Sequence, residues 1–197
     1  MPVNQTAFLA DVTTRITDGV HQKPTYTDSG IPFISVKNIT TGVLQFENCK
    51  YISRVDHDKF TRRCKAEKGD VLYTKVGATY GRPALVVDTD REFSIYVSVC
   101  LLKPKRNLIE PAFLCETLRS LAVKRQADRK IKGIGVPDLH LDQIQSFIIP
   151  KPPLAEQRRY VADLSSIEIV KSKQATALEM LDALFASLQH RTFRGEL

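Results

Sequence analysis

The stretch Ile149-Pro150-Lys151-Pro152-Pro153-Leu154-Ala155-Glu156-Gln157-Arg158 opens a run that holds no glycine or proline until Gly195. Proline is tolerated where a helix begins, because the backbone donors there have no partner anyway, and glycine is the residue type that ends one. The run therefore predicts one long helix over about 153–190. About 37 residues at about 1.5 Å each would reach about 55 Å. A domain of this size cannot bury such a rod, so the helix needs a partner.

The apolar spacing says what kind. Alternate steps of four and three residues from Tyr160 meet Leu164, Ile167, Lys171, Gln174, Leu178, Leu181, Phe185 and Leu188, and Val161, Val170, Ala177 and Leu184 widen the stripe. This is a heptad seam, interrupted at Lys171 and Gln174 as where a coiled coil trades stability for register. An amphipathic helix folded back on its own domain would show a related stripe, but the length argues against it. The seam is the expected homodimer interface.

Before Pro150 the signals are mostly strands and turns. Strands are expected at Gly30–Val36, Gly42–Phe46, Lys50–Ile52, Val71–Val76, Ala84–Val87, Ser94–Leu102 and Ser146–Ile149. Helices are expected at Asp56–Arg62, Pro111–Ala127 and Asp138–Gln143. Runs of strands with helices set apart from them indicate an α+β domain. The expected organisation is a globular domain with a twisted β-sheet and short helices over 1–150, then a coiled-coil helix with a terminal docking motif over 151–197.

The chain of 197 residues is 43% hydrophobic, enough for a core, and 29 Lys and Arg against 22 Asp and Glu give a net charge of +7. Such a balance suggests a polyanionic partner, most commonly nucleic acid. No apolar run is long enough to span a membrane, and Met1–Thr6 lacks the pattern of a secretory signal. Cys49, Cys64, Cys100 and Cys115 are irregularly spaced without a CxxC pair, as for free thiols in a reducing compartment. The expectation is a cytoplasmic protein.

Between Lys103 and Lys132 the chain carries nine basic residues against Glu110, Glu116 and Asp128. Many such clusters are solvated helix faces. This one ends in Arg129-Lys130-Ile131-Lys132-Gly133-Ile134-Gly135, a basic loop whose glycines would let Arg129, Lys130 and Lys132 approach a phosphate backbone. The turn Gly77-Ala78-Thr79-Tyr80-Gly81-Arg82 has two readings. As structure it is a tight strand connection; as function it puts Thr74, Lys75, Tyr80 and Arg82 at an exposed tip, where Arg grips guanine and Tyr stacks or bonds to phosphate. Lys23 and Tyr26 in His21–Tyr26, with Lys37-Asn38, are similar candidates, since Asn suits adenine and Lys suits guanine or phosphate.

Catalysis finds little support. Lys151-Pro152-Pro153-Leu154 lacks the polar residue and the aromatic of a base-modifying methyltransferase motif. Pro137-Asp138 is followed by no acidic-x-Lys element of the kind a metal-dependent nuclease pairs with its carboxylate. His21, His57, His140 and His190 are scattered, and Asp56-His57-Asp58 lacks further ligands. No catalytic residue, metal site or bound cofactor is expected in this chain.

In order and spacing, these segments resemble the specificity subunit of type I restriction-modification systems. The resemblance rests on Asp18-Gly19-Val20-His21-Gln22-Lys23-Pro24 followed by Gly30-Ile31-Pro32-Phe33-Ile34. It continues through Gly69-Asp70-Val71-Leu72 and Gly77-Ala78-Thr79-Tyr80-Gly81, then through the Pro150–Gln157 helix entry, to Phe193-Arg194-Gly195-Glu196-Leu197. The chain has no tryptophan and offers Phe8-Leu9-Ala10-Asp11-Val12 where the family usually places one. Complete members carry two recognition domains and two long antiparallel helices, whereas this sequence has one of each and reads as a half-subunit, natural or truncated.

The resemblance implies a non-catalytic subunit that binds double-stranded DNA and reads one half of a bipartite, interrupted site. It implies modification subunits that methylate adenine with S-adenosylmethionine, docked by the helix and by Phe193, Arg194, Glu196 and Leu197. It further implies that restriction subunits requiring ATP and magnesium can join. A competing reading is a coiled-coil scaffold whose basic domain binds RNA or an acidic protein; a stand-alone nuclease is disfavoured by the missing acidic-x-Lys constellation.

Overall fold

The structure is a computed structural model that describes residues 5–87, 91–131 and 135–195. In chain order the elements are β1 (Thr6–Phe8), β2 (Thr13–Asp18), β3 (Ile31–Ile34), a 3-10 turn (Val36–Asn38), β4 (Lys50–Ile52) and α1 (Arg54–Thr61). There follow β5 (Val71–Thr74), β6 (Pro83–Leu85), β7 (Ser94–Ile95), β8 (Val99–Pro104), α2 (Pro111–Arg119), α3 (Leu121–Lys130), α4 (Leu141–Gln145), β9 (Ile148–Pro150) and α5 (Leu154–Phe193). This is the expected α+β architecture with a long C-terminal helix.

The apolar run Val99-Cys100-Leu101-Leu102 is fully buried as the inner strand β8 of an antiparallel sheet ordered β2-β8-β5-β6. A continuous apolar run of this length suits a strand covered on both faces. A three-stranded sheet, β4-β3-β7, faces the same core, where Ile34 and Ile95 pack with Leu72, Ala84, Val99 and Leu101. A two-stranded ribbon pairs Phe8 of β1 with Ile148 of β9.

Register in the four-stranded sheet decides what is neighbour to what. Asp18 at the end of β2 pairs with Cys100, and Thr74 at the end of β5 pairs with Val99, so both strands finish where β8 begins. The next residues continue the pattern: Gly19 N donates to Val99 O at 3.1 Å and Lys75 N to Ser98 O at 3.0 Å. The connections after β2 and after β5 thus leave from one end of one sheet.

Several expected elements differ. Ser94–Leu102 is two strands, because Ser94 and Ile95 pair with β3 whereas Val99 onward pairs with β2 and β5. At this crossing Gly19 runs so close that a Cβ on it would lie 2.1 Å from the Ile95 carbonyl oxygen, a position open only to glycine. Gly42–Phe46 forms no strand; Val43 makes one bridge to Leu85, and Leu44 and Phe46 pack on the core. The expected helix over Pro111–Ala127 breaks at Ser120, which is extended (ψ 149°) and accepts a hydrogen bond from Val123 N as the cap of α3. Serine competes for backbone donors in this way and favours caps over helix interiors. Strands β1 and β2 are additions to the sequence reading.

The chain divides into two compact units, Met1–Gln157 and Arg158–Leu197. The first turn of α5 belongs to the first unit. There the buried Gln157 donates to Leu108 O (3.1 Å) and Pro152 O (2.7 Å) and accepts from Glu110 N (2.8 Å), which satisfies its whole amide save one lone pair. Helix α5 has 40 residues, about 60 Å at about 1.5 Å per residue. Its apolar residues stand exposed, among them Tyr160, Ile167, Leu178, Leu181, Phe185 and Leu188. Among the described residues no helix is long and apolar enough to cross a membrane.

Candidate nucleic-acid interface

Two basic segments that are far apart in sequence meet at the connection after β5. Thr74 closes that turn from inside: its hydroxyl donates to Thr79 O at 2.6 Å and accepts from Arg82 N at 2.8 Å. Gly81 has φ of +86°, and a Cβ there would lie 3.1 Å from Lys124 Cδ, so a bare backbone lets α3 lie against the tip. The Tyr80 hydroxyl donates to Asp128 at 2.5 Å, the Lys124 ammonium sits 4.2 Å from the Tyr80 ring centre, and Lys124 also donates to Asp128.

The electrostatics follow from these contacts. The hydrogen bond from Lys124, and then that from Tyr80, holds the Asp128 carboxyl below the usual carboxylate range. Partial burial pulls the Lys124 ammonium down, yet its bonds to Asp128 and Tyr80 outweigh burial and raise it. Lys124 and Asp128 therefore cancel as charges. Arg82, Arg125 and Arg129 beside them are exposed and make no ion pair among the described residues. The result is a net basic surface built from the tip and from α3.

A second basic group lies at the same end of the sheet. Asp18, the last residue of β2, is buried and accepts from Arg63 Nη2 at 2.8 Å, with His21 Nε2 at 3.1 Å. Arg15 Nη1 donates to the Arg63 carbonyl at 3.0 Å. These contacts join the loop after β2 to the residues that follow α1, beside a cavity of about 300 Å³ lined also by Gln22, Lys59 and Phe60. Lys59 is exposed, as are Arg62 and Lys65 in the segment that follows α1. Among the described residues no group of three His, Cys, Asp or Glu side chains gathers to hold a metal.

Residues 5–180 match the family model described as "Type I restriction modification DNA specificity domain". The chain belongs to this family. It is 28% identical over 183 residues to the type I restriction enzyme EcoBI specificity subunit of Escherichia coli, covering 91% of this chain and 38% of that protein. It is 22% identical over 189 residues to a putative type I restriction enzyme MjaX specificity subunit of Methanocaldococcus jannaschii, covering 94% and 44%. Among solved structures the fold matches the HsdS subunit from Thermoanaerobacter tengcongensis with a TM-score of 0.63 at 22% identity, covering 87% of this chain and 44% of that one. It also matches, with a TM-score of 0.71 at 24% identity, a chain in a structure titled for complex assembly and conformational transition of the type I R-M system, covering 100% and 47%. The chain spans less than half the length of each of these relatives.

In this specificity-domain chain the residues nominated from sequence fall into distinct places. Tyr80 and Arg82 stand at the tip, Arg129 and Lys130 at the end of α3, and Lys23 and Lys37 are exposed. Tyr26 is half-buried, its ring 6.0 Å from Phe33 with Lys50 over it at 4.1 Å. Three candidates are corrected. Thr74 is buried because it closes the turn from within; Lys75 is buried and pairs with Asp138 at 3.1 Å; Asn38 is buried and accepts from Ser35 N and Oγ. None of the three presents its side chain at the surface. Lys132, Glu196 and Leu197 lie outside the described residues.

On α5 the seam residues Tyr160, Ile167, Gln174, Leu178, Leu181, Phe185 and Leu188 are exposed, Leu164 is half-buried, and Lys171 pairs with Glu168 of its own helix at 2.9 Å. Phe193 and Arg194 are exposed. Sequence reading passed over the group after α1. Its signal was present, since Lys59, Arg62, Arg63, Lys65 and Lys68 fall within ten residues against Glu67 alone.

Proposed function

We propose that this chain is a non-catalytic, cytoplasmic DNA-recognition subunit of a type I restriction-modification complex, and that its globular unit reads one half of an interrupted site in double-stranded DNA. The observation that carries the reading is the placement of the tip Tyr80–Arg82, the basic end of α3 and the loop after β2 at one end of one sheet. Exposed Arg and Lys at a common face supply phosphate contacts, and Arg side chains among them supply base contacts in the major groove.

The exposed seam of α5 supports a second role. Leu178, Leu181, Leu184 and Phe185 form an apolar surface that a lone helix leaves in water, and helices of this pattern pair through it. The chain acts as a half-subunit whose helix pairs with that of a second copy and recruits modification subunits, with Phe193 and Arg194 at the docking end. Those partners supply S-adenosylmethionine for adenine methylation, and restriction subunits supply the ATP- and magnesium-dependent steps.

The test is to assemble the chain with its modification subunits and to sequence the methylated bases in exposed DNA. A bipartite motif that vanishes without this chain is expected. Methylation independent of the chain, or preferential binding of RNA over duplex DNA, would overturn the reading.

A further inference from the structure

Asp18 is an unusual residue to find at a polyanion-binding face. Its side chain is 6% exposed, while its two partners stand in solvent, Arg63 at 63% and His21 at 64%. Removing a carboxylate from water is costly unless cations and donors compensate it. Such an anchor joins the loop after β2 to the residues that follow α1 and also orients the cation it holds. One guanidinium nitrogen of Arg63 bonds Asp18 at 2.8 Å, and the others have no partner among the described residues. The Arg63 backbone is held as well, through its carbonyl and Arg15. The guanidinium is thereby held through one nitrogen, with its other donors unpaired among the described residues.

We propose that Arg63 is a specificity-determining residue that reads a guanine of the target, with Asp18 as its positioning residue and Lys59, Arg62 and Lys65 on flanking phosphates. The proposal rests on the reading of this chain as a DNA-recognition subunit. A guanidinium held through one Nη2 hydrogen still offers two parallel donors, Nη1–H and the second Nη2–H, to the guanine O6 and N7 acceptors. A phosphate contact requires no such fixing. The sheet also sets the spacing of the two supports, Asp18 beneath Arg63 and Thr74 beneath the tip. Asp18 and the Thr74 row are two strand spacings apart across β8, about 10 Å, which fits within a major groove about 12 Å wide. Arg63 and the tip Tyr80–Arg82 then address the same half-site.

The experiment uses the full chain assembled with its modification subunits, with the motif read from methylated-base sequencing and affinity from fluorescence anisotropy on duplexes over a salt series. Arg63→Ala and Arg63→Gln should both remove the guanine preference at one position of the half-site. Discrimination at that position should fall about 5- to 150-fold. Asp18→Asn should relax the same position, because the guanidinium loses the charge-assisted bond that orients it. If Asp18→Asn does not fold, Arg63→Gln carries the test: its amide can still donate to Asp18, but the donor and acceptor it presents suit adenine and not guanine. An unchanged motif and affinity in the Arg63 variants would overturn the assignment, and so would an equal loss on every sequence with the motif intact. A parent complex that selects no sequence at all would instead overturn the DNA-recognition reading, and the assignment would fall with it.

Discussion

The Tyr80 hydroxyl donates to the Asp128 carboxylate across 2.5 Å, a contact between residues 48 apart in sequence. It fixes the tip after β5 against α3, so that Arg82 and Arg129 belong to one surface. Because Lys124 bonds the same carboxylate oxygen, Asp128 also sets how much charge that surface presents.

Asp128→Asn should therefore leave Lys124 as an uncompensated cation. Binding to duplexes of any sequence should tighten, and the slope of log affinity against log salt should steepen by about 0.9, the value for one further phosphate contact. Anisotropy titrations at several salt concentrations measure the slope. An unchanged slope would mean that Lys124 does not face the duplex.

Lys75 and Arg82 should respond in opposite ways. Lys75 is buried against Asp138, an acid that is half in water, so Lys75→Met should remove a partly screened pair, cost about 1 kcal/mol and lower Tm by about 2–4 °C. The half-site should stay the same. Arg82 is exposed and makes no ion pair among the described residues, so Arg82→Ala should shift stability by no more than about 0.5 kcal/mol. It should instead relax base choice by about 1–3 kcal/mol. Thermal melts together with methylated-base sequencing separate the two.

Lys75 also shows where sequence reading stops. The turn was legible because Gly77 and Gly81 mark it, and α5 was legible because a forty-residue helix leaves a long stretch free of glycine and proline. Whether a lysine next to that turn points out or in depends on Asp138, which reaches it through a fold connection of 63 residues. Strand β2 escaped notice for the same reason: its partner β8 lies more than 80 residues on, and Thr13-Thr14-Arg15-Ile16-Thr17-Asp18 has little apolar alternation of its own. Asp18 and Arg63 could be quoted as letters but not as a pair, since only the register of β2 on β8 and the position of α1 bring them together.

His57 provides a pH test of the domain. Its ring is buried, and Nδ1 lies 2.9 Å from Ser94 Oγ. Burial lowers its pKa below 6.5, opposed in part by Glu92 and reinforced by Arg54. The unfolded chain then takes up the proton first as pH falls. Stability contributed by the neutral ring is complete above about pH 6.5 and is lost as pH drops through the folded value. Urea unfolding between about pH 8 and 5 should show this decline, and it should be shallower in His57→Gln. A steeper decline in the variant would contradict the assignment.

The seam of α5 makes a prediction about assembly. Leu178 and Leu181 are both largely exposed, and a helix pair would bury them together. Leu178→Glu with Leu181→Glu should turn a dimer into a monomer while leaving the circular-dichroism signal of the domain's strands in place, since both residues stand exposed on α5. Light scattering at micromolar concentration reads the difference, and a monomeric parent would sink the proposed pairing.

The same helix should set the distance between half-sites. Two copies related by a twofold axis present one recognition surface twice in opposite orientation, so their target should be an interrupted palindrome. If paired helices hold the two domains apart, their length becomes the length of the spacer. Inserting four residues beside Lys173 adds about one turn, about 6 Å. That is slightly less than two base pairs at about 3.4 Å each. The inserted turn also rotates the C-terminal half of the helix by about 40° beyond a full revolution, since four residues exceed the 3.6 of one turn, so the seam should continue with a small offset and the dimer should survive. The spacer in the methylated motif should lengthen by one or two base pairs while both half-sites keep their sequence, because Arg63, Arg82 and their supports all lie outside the helix. An unchanged spacer in an active complex would show that something other than α5 measures the gap.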